Sequence, residues 1–221
     1  MAARTCPDCP AARNGVMSAL VERGAEGCAF RCTFIGAREP IPSRWFGAYS
    51  VALVRRGILI RQRVDGTGRA TAIDVAGPGA MLPLGDDEAG VAGYAVSDAL
   101  VCLCPTRDVD GTLDAAGSTA REIMRMQTQA LARVERVAEA RSRARTTARV
   151  GALLVALSDT LSPPRRLDVI PHGLQQRDLG ALLALRHESV CRALVRLEKQ
   201  GLLSRSPDGI RLRDREQLAA L

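Results

Sequence analysis

Histidine, lysine and long apolar runs are scarce in this chain of 221 residues. Its two histidines, His172 and His187, are too few to favour a haem site or a metal site built on imidazoles. No Ser-His-Asp set, phosphate-binding P-loop or G-x-G-x-x-G pattern appears, so we do not expect an enzyme. No apolar run approaches the roughly 18 residues of a membrane span, and the first residues contain no apolar signal core. We therefore expect a cytoplasmic protein without a membrane partner.

The chain is rich in positively charged residues and in cysteine. The formal net charge is +7 and the isoelectric point about 9.5, which favours a polyanionic partner because each neutralised phosphate releases counterions. Seven cysteines are present. In a cytoplasmic chain they indicate metal or redox chemistry rather than structural disulfides.

Residues 175–201 contain the most specific pattern. Apolar residues at spacings of three and four predict two short helices, the first burying Leu179, Leu182 and Leu183 and the second Val190, Leu194 and Leu197. Residues 184–186 leave room only for a tight turn, and Gly201 is suited to end the second helix. Together the two helices predict a helix-turn-helix. Residues 202–212 predict a strand, a turn and a strand, which is a wing.

The outer face of the second helix carries Glu188 and Arg192, four residues apart. In a major groove, arginine can bond a guanine edge with two donors and glutamate can accept from a cytosine amino group. The alternative is an ordinary surface ion pair at this helical spacing.

The run from His187 to Leu203, H-E-S-V-C-R-A-L-V-R-L-E-K-Q-G-L-L, resembles the CRP/FNR family of bacterial transcription regulators. The resemblance implies that Glu188 and Arg192 read bases and that Ser189 contacts phosphate. It also implies an α+β fold with an N-terminal β-roll (double-stranded β-helix) sensor domain, a long dimerisation helix and a C-terminal winged helix-turn-helix. The predicted DNA-binding residues are Arg177, Arg186, His187, Glu188, Ser189, Arg192, Arg205 and Arg211.

Four segments follow from this reading. Residues 1–35 are a cysteine-containing N-terminal segment, residues 36–110 the β-roll, residues 111–143 the dimerisation helix and residues 144–221 the winged-helix domain. In the β-roll, alternation predicts that Ile58, Ile60 and Val64 share one face, and likewise Thr71, Ile73 and Val75.

A helix from about Ser118 to Ala140 carries an apolar seam in a repeat of three and four, at Ile123/Met124, Gln127, Ala130/Leu131, Val134 and Val137/Ala138. The seam would pair two copies of the chain, or else pack the helix on its own sheet. We prefer pairing, because an inverted-repeat DNA site requires a two-fold protein. Double-stranded DNA, a second copy of the chain and RNA polymerase are the expected partners.

The cysteines suggest the signal. Cys6 and Cys9, together with Cys102 late in the β-roll, resemble ligands of the [4Fe–4S] cluster in the oxygen-sensing, FNR-like branch. Cys28 or Cys32 would supply a further ligand, and oxygen, redox state or nitric oxide would be sensed. Two alternatives stay open: a zinc site at Cys6, Cys9, Cys28 and Cys32, and a thiol–disulfide switch through Cys102 and Cys104. A cyclic-nucleotide response is less favoured, because residues 70–106 contain no arginine or lysine for the phosphate.

Overall fold

The computed structural model describes residues 31–84, 90–105, 117–161, 168–171 and 173–221. The described strands are β1 Arg31–Ile35, β2 Tyr49–Arg56, β3 Leu59–Val64, β4 Ala70–Ala76, β5 Met81–Pro83, β6 Val91–Ala95, β7 Ala99–Pro105, β8 Val169–Pro171, β9 Leu203–Ser206 and β10 Gly209–Leu212. The described α-helices are α1 Gly117–Ser142, α2 Thr146–Leu161, α3 Gln176–Leu183, α4 His187–Lys199 and α5 Arg215–Ala220.

Strands β1 to β7 form two antiparallel sheets, with strand orders β1-β7-β2-β5 and β4-β3-β6. Apolar side chains from both sheets enclose one core, in which Val54, Leu59 and Leu82 are fully buried. Strand β1 pairs with β7, so the last residues of the predicted segment 1–35 belong to this sheet. The α+β architecture with an N-terminal β domain is confirmed.

Strand β3 is covered on both faces. Leu59 lies in the core between the sheets, whereas its neighbour Ile60 packs into a second core with Leu154 and Leu183 of the C-terminal domain. Both side chains are fully buried, although the predicted alternation grouped only Ile58, Ile60 and Val64 as one apolar face. The alternation is incomplete because the C-terminal domain replaces solvent on the outer face of the sheet.

Helix α1 confirms the predicted long helix, but its apolar seam divides into two stripes. One stripe packs on the protein's own sheets and comprises Met126, Ala130, Arg133, Val137 and Ala140. The other faces outward and contains the exposed residues Met124, Gln127, Leu131 and Ala138, with half-buried Val134. The two seam positions Ala130 and Val137 therefore belong to the inner stripe, while Leu131 and Ala138 belong to the outer one. Packing of the seam on the protein's own sheets is thus confirmed for the inner stripe, whereas pairing of two chains through the outer stripe stays a prediction.

A buried ion pair joins α1 to β4. Arg133 donates from Nε to Asp74 Oδ1 at 2.9 Å, from Nη2 to Oδ2 at 3.0 Å, and from Nη2 to the Met81 carbonyl at 2.7 Å. The predicted alternation of Thr71, Ile73 and Val75 does not mark the buried side of β4, since Asp74 is fully buried and Thr71 and Ile73 are only half-buried. An acid is accepted inside because Arg133 supplies both charge and donors.

The C-terminal domain packs α2, α3 and α4 around a small sheet of order β8-β10-β9. Strand β8 and helix α5 were not predicted. Asp214 caps the N-terminus of α5, and its carboxylate accepts from the Gln217 N–H at 2.8 Å. Arg215 pairs with Asp159 of α2 at 2.5 Å. In the part of the chain that the structure describes, no helix is long and apolar enough to cross a membrane.

Candidate nucleic-acid interface and cysteine site

Helices α3 and α4 form the predicted helix-turn-helix, and the turn depends on two backbone features. Ala184 adopts the left-handed conformation with φ of 53°, and the Leu185 N–H then bonds the Gly180 carbonyl at 2.9 Å. A Cβ at Gly180 would lie 2.7 Å from the Leu185 carbonyl oxygen. The lack of a side chain at Gly180 therefore lets the turn close tightly.

Helix α4 buries Val190, Ala193, Leu194 and Leu197 against the domain. Its opposite face exposes His187, Glu188 and Arg192 at the first turns, with Ser189 half-buried. Arg186 precedes the helix and is also exposed. The predicted base-reading residues thus lie together on one accessible face, and His187 Nδ1 lies 3.6 Å from Glu188 Oε2. Arg196 continues this face one turn beyond Arg192; the sequence reading missed it, although the spacing of four would have indicated it.

The two predicted DNA-binding arginines of the wing, Arg205 and Arg211, have different surroundings. Arg211 in β10 is exposed. Arg205 in β9 donates from Nε and Nη2 to Glu198 Oε2, at 2.9 and 2.5 Å, and its backbone N–H donates to Oε1 at 3.0 Å. Hydrogen bonding to Arg205 lowers the pKa of Glu198 below its ordinary value. A phosphate approaching Arg205 must therefore compete with a carboxylate on α4.

A polar contact that we call the interdomain latch joins the β domain to α3. Its members are Arg38, Tyr94, Gly173, Gln175 and Asp178. Arg38 Nη1 donates to both Asp178 oxygens at 2.7 and 2.9 Å, and Nη2 donates to the Gly173 carbonyl at 2.9 Å. The Tyr94 hydroxyl donates to Asp178 Oδ1 at 2.9 Å and the Gln175 N–H to Oδ2 at 2.7 Å.

The latch is largely buried, since the Asp178 side chain is 1% exposed and that of Arg38 27%. Burial, and then the neighbouring Asp178 charge, raise the pKa of Tyr94 above its ordinary value. Tyr94 therefore stays a neutral hydrogen-bond donor. Three donor groups make four hydrogen bonds to one carboxylate, which fixes α3 relative to the β domain.

A second arginine reinforces this junction. Arg141, near the end of α1, donates from Nε to the Leu182 carbonyl of α3 at 2.5 Å and from Nη2 to the Ala72 carbonyl of β4. Burial lowers the pKa of Arg141 below its ordinary value. Helix α1, strand β4 and helix α3 thus meet at one side chain.

Next to this junction a cleft of about 1100 Å³ separates the loops of the β domain from the DNA-binding elements. Arg38 and Asp98 line one wall, and Arg177, His187 and Arg205 line the other. Three predicted DNA-binding residues therefore open into a space bounded by the β domain.

Two of the predicted metal ligands come together on the first sheet. Cys32 of β1 and Cys102 of β7 are direct cross-strand partners, and their sulfur atoms lie 3.0 Å apart. Cys102 is buried, Cys32 is exposed, and Arg55 Nη1 lies 3.4 Å from the Cys32 sulfur. Cys6, Cys9 and Cys28 lie outside the described residues. Among the described side chains, no group of three or more His, Cys, Asp or Glu is placed to hold a metal ion.

Residues 148–221 match the Crp-like helix-turn-helix domain. The C-terminal domain belongs to that family. No curated protein sequence matches the chain significantly.

Solved structures similar to the whole chain extend the comparison. FixK2 from Bradyrhizobium japonicum is 24% identical, with a TM-score of 0.70 over 87% of this chain and 96% of its own. A variant of CooA from Carboxydothermus hydrogenoformans is 14% identical, with a TM-score of 0.68 over 90% and 93%. A CRP/FNR-family transcriptional regulator from Thermus thermophilus is 19% identical, with a TM-score of 0.57 over 86% and 99%. The Crp-like domain is therefore joined to a β domain in the CRP/FNR fold.

Proposed function

We propose that the protein is a DNA-binding transcription regulator that binds an inverted-repeat site as a homodimer and acts with RNA polymerase. The main support is the accessible face of α4, the second helix of a Crp-like helix-turn-helix. Glu188 and Arg192 are both exposed there, one helical turn apart. Arg177, Arg186 and Arg211 are exposed around it, so positive charge surrounds the base-reading positions. Such contacts to phosphate position a protein on DNA, while the base contacts give specificity.

The outer stripe of α1 supports the dimer. Met124 is 67% exposed and Leu131 58%, and both are among the few large apolar side chains that the described residues expose. Together with Gln127, Val134 and Ala138 they repeat at spacings of three and four, which is the pattern by which two helices pair. Two-fold pairing would present two copies of α4 to successive major grooves.

Arg192→Ala tests the DNA proposal. Loss of one bidentate base contact should weaken binding to the preferred site by roughly 1–3 kcal/mol and relax specificity at one base pair of each half-site. The measurement is fluorescence anisotropy with the selected site and with single-base variants of it. Arg211→Ala, which changes the exposed wing arginine among the predicted DNA-binding residues, is the matched control and should weaken binding to all sequences equally. An unchanged specificity ratio for Arg192→Ala would remove it from the base-reading set.

We further propose that the β domain senses oxygen, redox state or nitric oxide through a [4Fe–4S] cluster. Its ligands would be Cys6, Cys9, Cys102 and one of Cys28 and Cys32. The contact between Cys32 and Cys102 supports Cys32 as that ligand, because two thiols already meet at the proposed site. Such a cluster supplies a one-electron redox centre that is sensitive to oxidants. The chain's residues supply the thiolates, and the latch residue Arg38 follows Cys32 shortly after the end of β1.

Zinc held by Cys6, Cys9, Cys28 and Cys32 is the alternative occupant. Protein purified without oxygen should be assayed for iron, sulfide and zinc, and its visible spectrum recorded. About four irons and four sulfides per chain, with colour that bleaches in air, would support the cluster. One zinc in a colourless protein would favour the alternative, and a protein without metal would refute both.

A further inference from the structure

The contact between Cys32 and Cys102 has the geometry of a pair that can become covalent. Directly opposed residues of an antiparallel pair have Cβ atoms about 4.5–5.5 Å apart, close to the range from which a disulfide closes. The two sulfurs are already 3.0 Å apart. Two thiolates on one tetrahedral zinc would lie about 3.8 Å apart, given Zn–S bonds of about 2.3 Å.

Cys104 is not placed for this reaction with Cys102. The two residues are separated by two positions in β7, and a strand advances about 3.3 Å per residue, so their Cβ atoms lie farther apart than a disulfide allows. Cys104 packs instead near the carbonyl of Pro105, at 3.8 Å. Cys102 therefore has a better placed partner in Cys32 than in Cys104, which was the partner considered from the sequence.

We propose that, when the site holds no metal, Cys32 and Cys102 form a reversible intrachain disulfide that joins β1 to β7. This inference rests on the proposed redox sensing and assigns a second state to the same site. Cys32 is exposed and Cys102 is buried, so an oxidant from solution reaches Cys32 first. Arg55 places a positive charge 3.4 Å from that sulfur.

The reaction needs a hydroperoxide as the oxidant. The Cys32 sulfur attacks the peroxide oxygen, the O–O bond breaks, and one water or alcohol leaves as Cys32 becomes a sulfenic acid. The Cys102 sulfur then attacks the Cys32 sulfur, the S–S bond forms, and the sulfenic oxygen leaves as water with the remaining thiol proton. Two thiols are oxidised by two electrons and one peroxide is reduced. A dithiol reductant reverses the bond by thiol–disulfide exchange.

Peptide mapping of the full-length protein tests the proposal. The reduced protein is freed of metal with a chelator, treated with equimolar hydrogen peroxide, alkylated and digested with trypsin. Cys32 leaves in peptide 32–38 and Cys102 in peptide 70–107. We expect a cross-link between these two peptides that fragmentation assigns to Cys102, that dithiothreitol removes, and that has the same yield at all protein concentrations.

Variants separate this pair from the other cysteines. Cys32→Ser should abolish the cross-link, whereas Cys104→Ser and Cys191→Ser should leave its yield unchanged. Three results would each overturn the proposal. They are alkylation of both Cys32 and Cys102 after peroxide treatment, a disulfide between Cys102 and Cys104, and a disulfide between two chains. Mapping wild-type protein keeps the test valid if a variant fails to fold.

Metal content is measured on protein purified without oxygen, before the chelator is added, so that failure of the cluster and failure of the disulfide are distinguished. A protein that contains no metal as purified, and forms the cross-link, supports the disulfide and refutes the cluster. A protein that binds four irons, yet gives no cross-link once stripped of them, refutes the disulfide alone.

Discussion

Replacing Arg38 with methionine removes the cation of the interdomain latch while keeping the length of the side chain. Arg38 has φ of 70°, and methionine leaves any strain of that backbone unchanged, which glycine would relieve. The substitution leaves the Asp178 carboxylate buried with two remaining donors, the Tyr94 hydroxyl and the Gln175 N–H. Three hydrogen bonds are lost, two of them to a charged acceptor.

The expected loss of stability follows from this geometry. Removing one partner of a buried ion pair costs about 3–5 kcal/mol. Because Arg38 is 27% exposed and two donors stay in place, we expect the lower end, about 3 kcal/mol. Asp178→Asn should remove a similar amount, and the double variant should lose less than the sum. We expect a coupling energy of about 2 kcal/mol, within the range for residues in one network.

Urea unfolding of all four proteins at one protein concentration measures this coupling. The single tryptophan, Trp45, is buried in the β domain, so its fluorescence reports that domain, while circular dichroism reports mainly the helices. The two transitions should coincide in the wild type and separate in Arg38→Met. Arg143→Met, which breaks an exposed pair with Glu139, is the control and should change stability by less than about 1 kcal/mol. A coupling energy below about 0.5 kcal/mol, with coincident transitions throughout, would refute the latch.

Three further predictions concern α1 and the wing. Leu131→Glu should convert dimer to monomer in sedimentation experiments without loss of helix content, since Leu131 lies on the outer stripe; a dimer that persists would place the two-fold contact elsewhere. Arg133→Met should lower the free energy of unfolding by about 3–5 kcal/mol, because it leaves the fully buried Asp74 carboxylate without its cation. A loss under about 1 kcal/mol in urea titrations would contradict this. Glu198→Gln should release Arg205 for phosphate and steepen the dependence of log affinity on log salt by about 1 per subunit, whereas an unchanged slope would exclude Arg205 as a contact.

The helix-turn-helix was predictable because its determinants are local. The spacing of Leu179, Leu182 and Leu183 and the position of Gly201 lie within one short segment, and neighbouring residues decide which helix faces are buried. The exposed positions of Glu188 and Arg192 follow from the same periodicity. Their roles on DNA remain predictions, since exposure alone does not assign a contact.

The β domain was predictable only in outline, because long-range packing decides which residues of its strands are buried. Apolar alternation placed Thr71, Ile73 and Val75 on one face, but the structure buries Asp74 against Arg133, 59 residues away. Ile60 is buried because the C-terminal domain covers the outside of β3. Neither partner can be inferred from the strand itself.

The sequence by itself determined the winged helix-turn-helix, the long helix and the supply of thiols, because periodicity and composition are properties of the chain. Only the tertiary structure decided that Cys32, rather than Cys104, meets Cys102, because strand register places partners 70 residues apart within 3.0 Å. It also decided that Arg38 and Asp178 meet across 140 residues. Contacts of this kind depend on how separate elements pack, which no single segment of the sequence specifies.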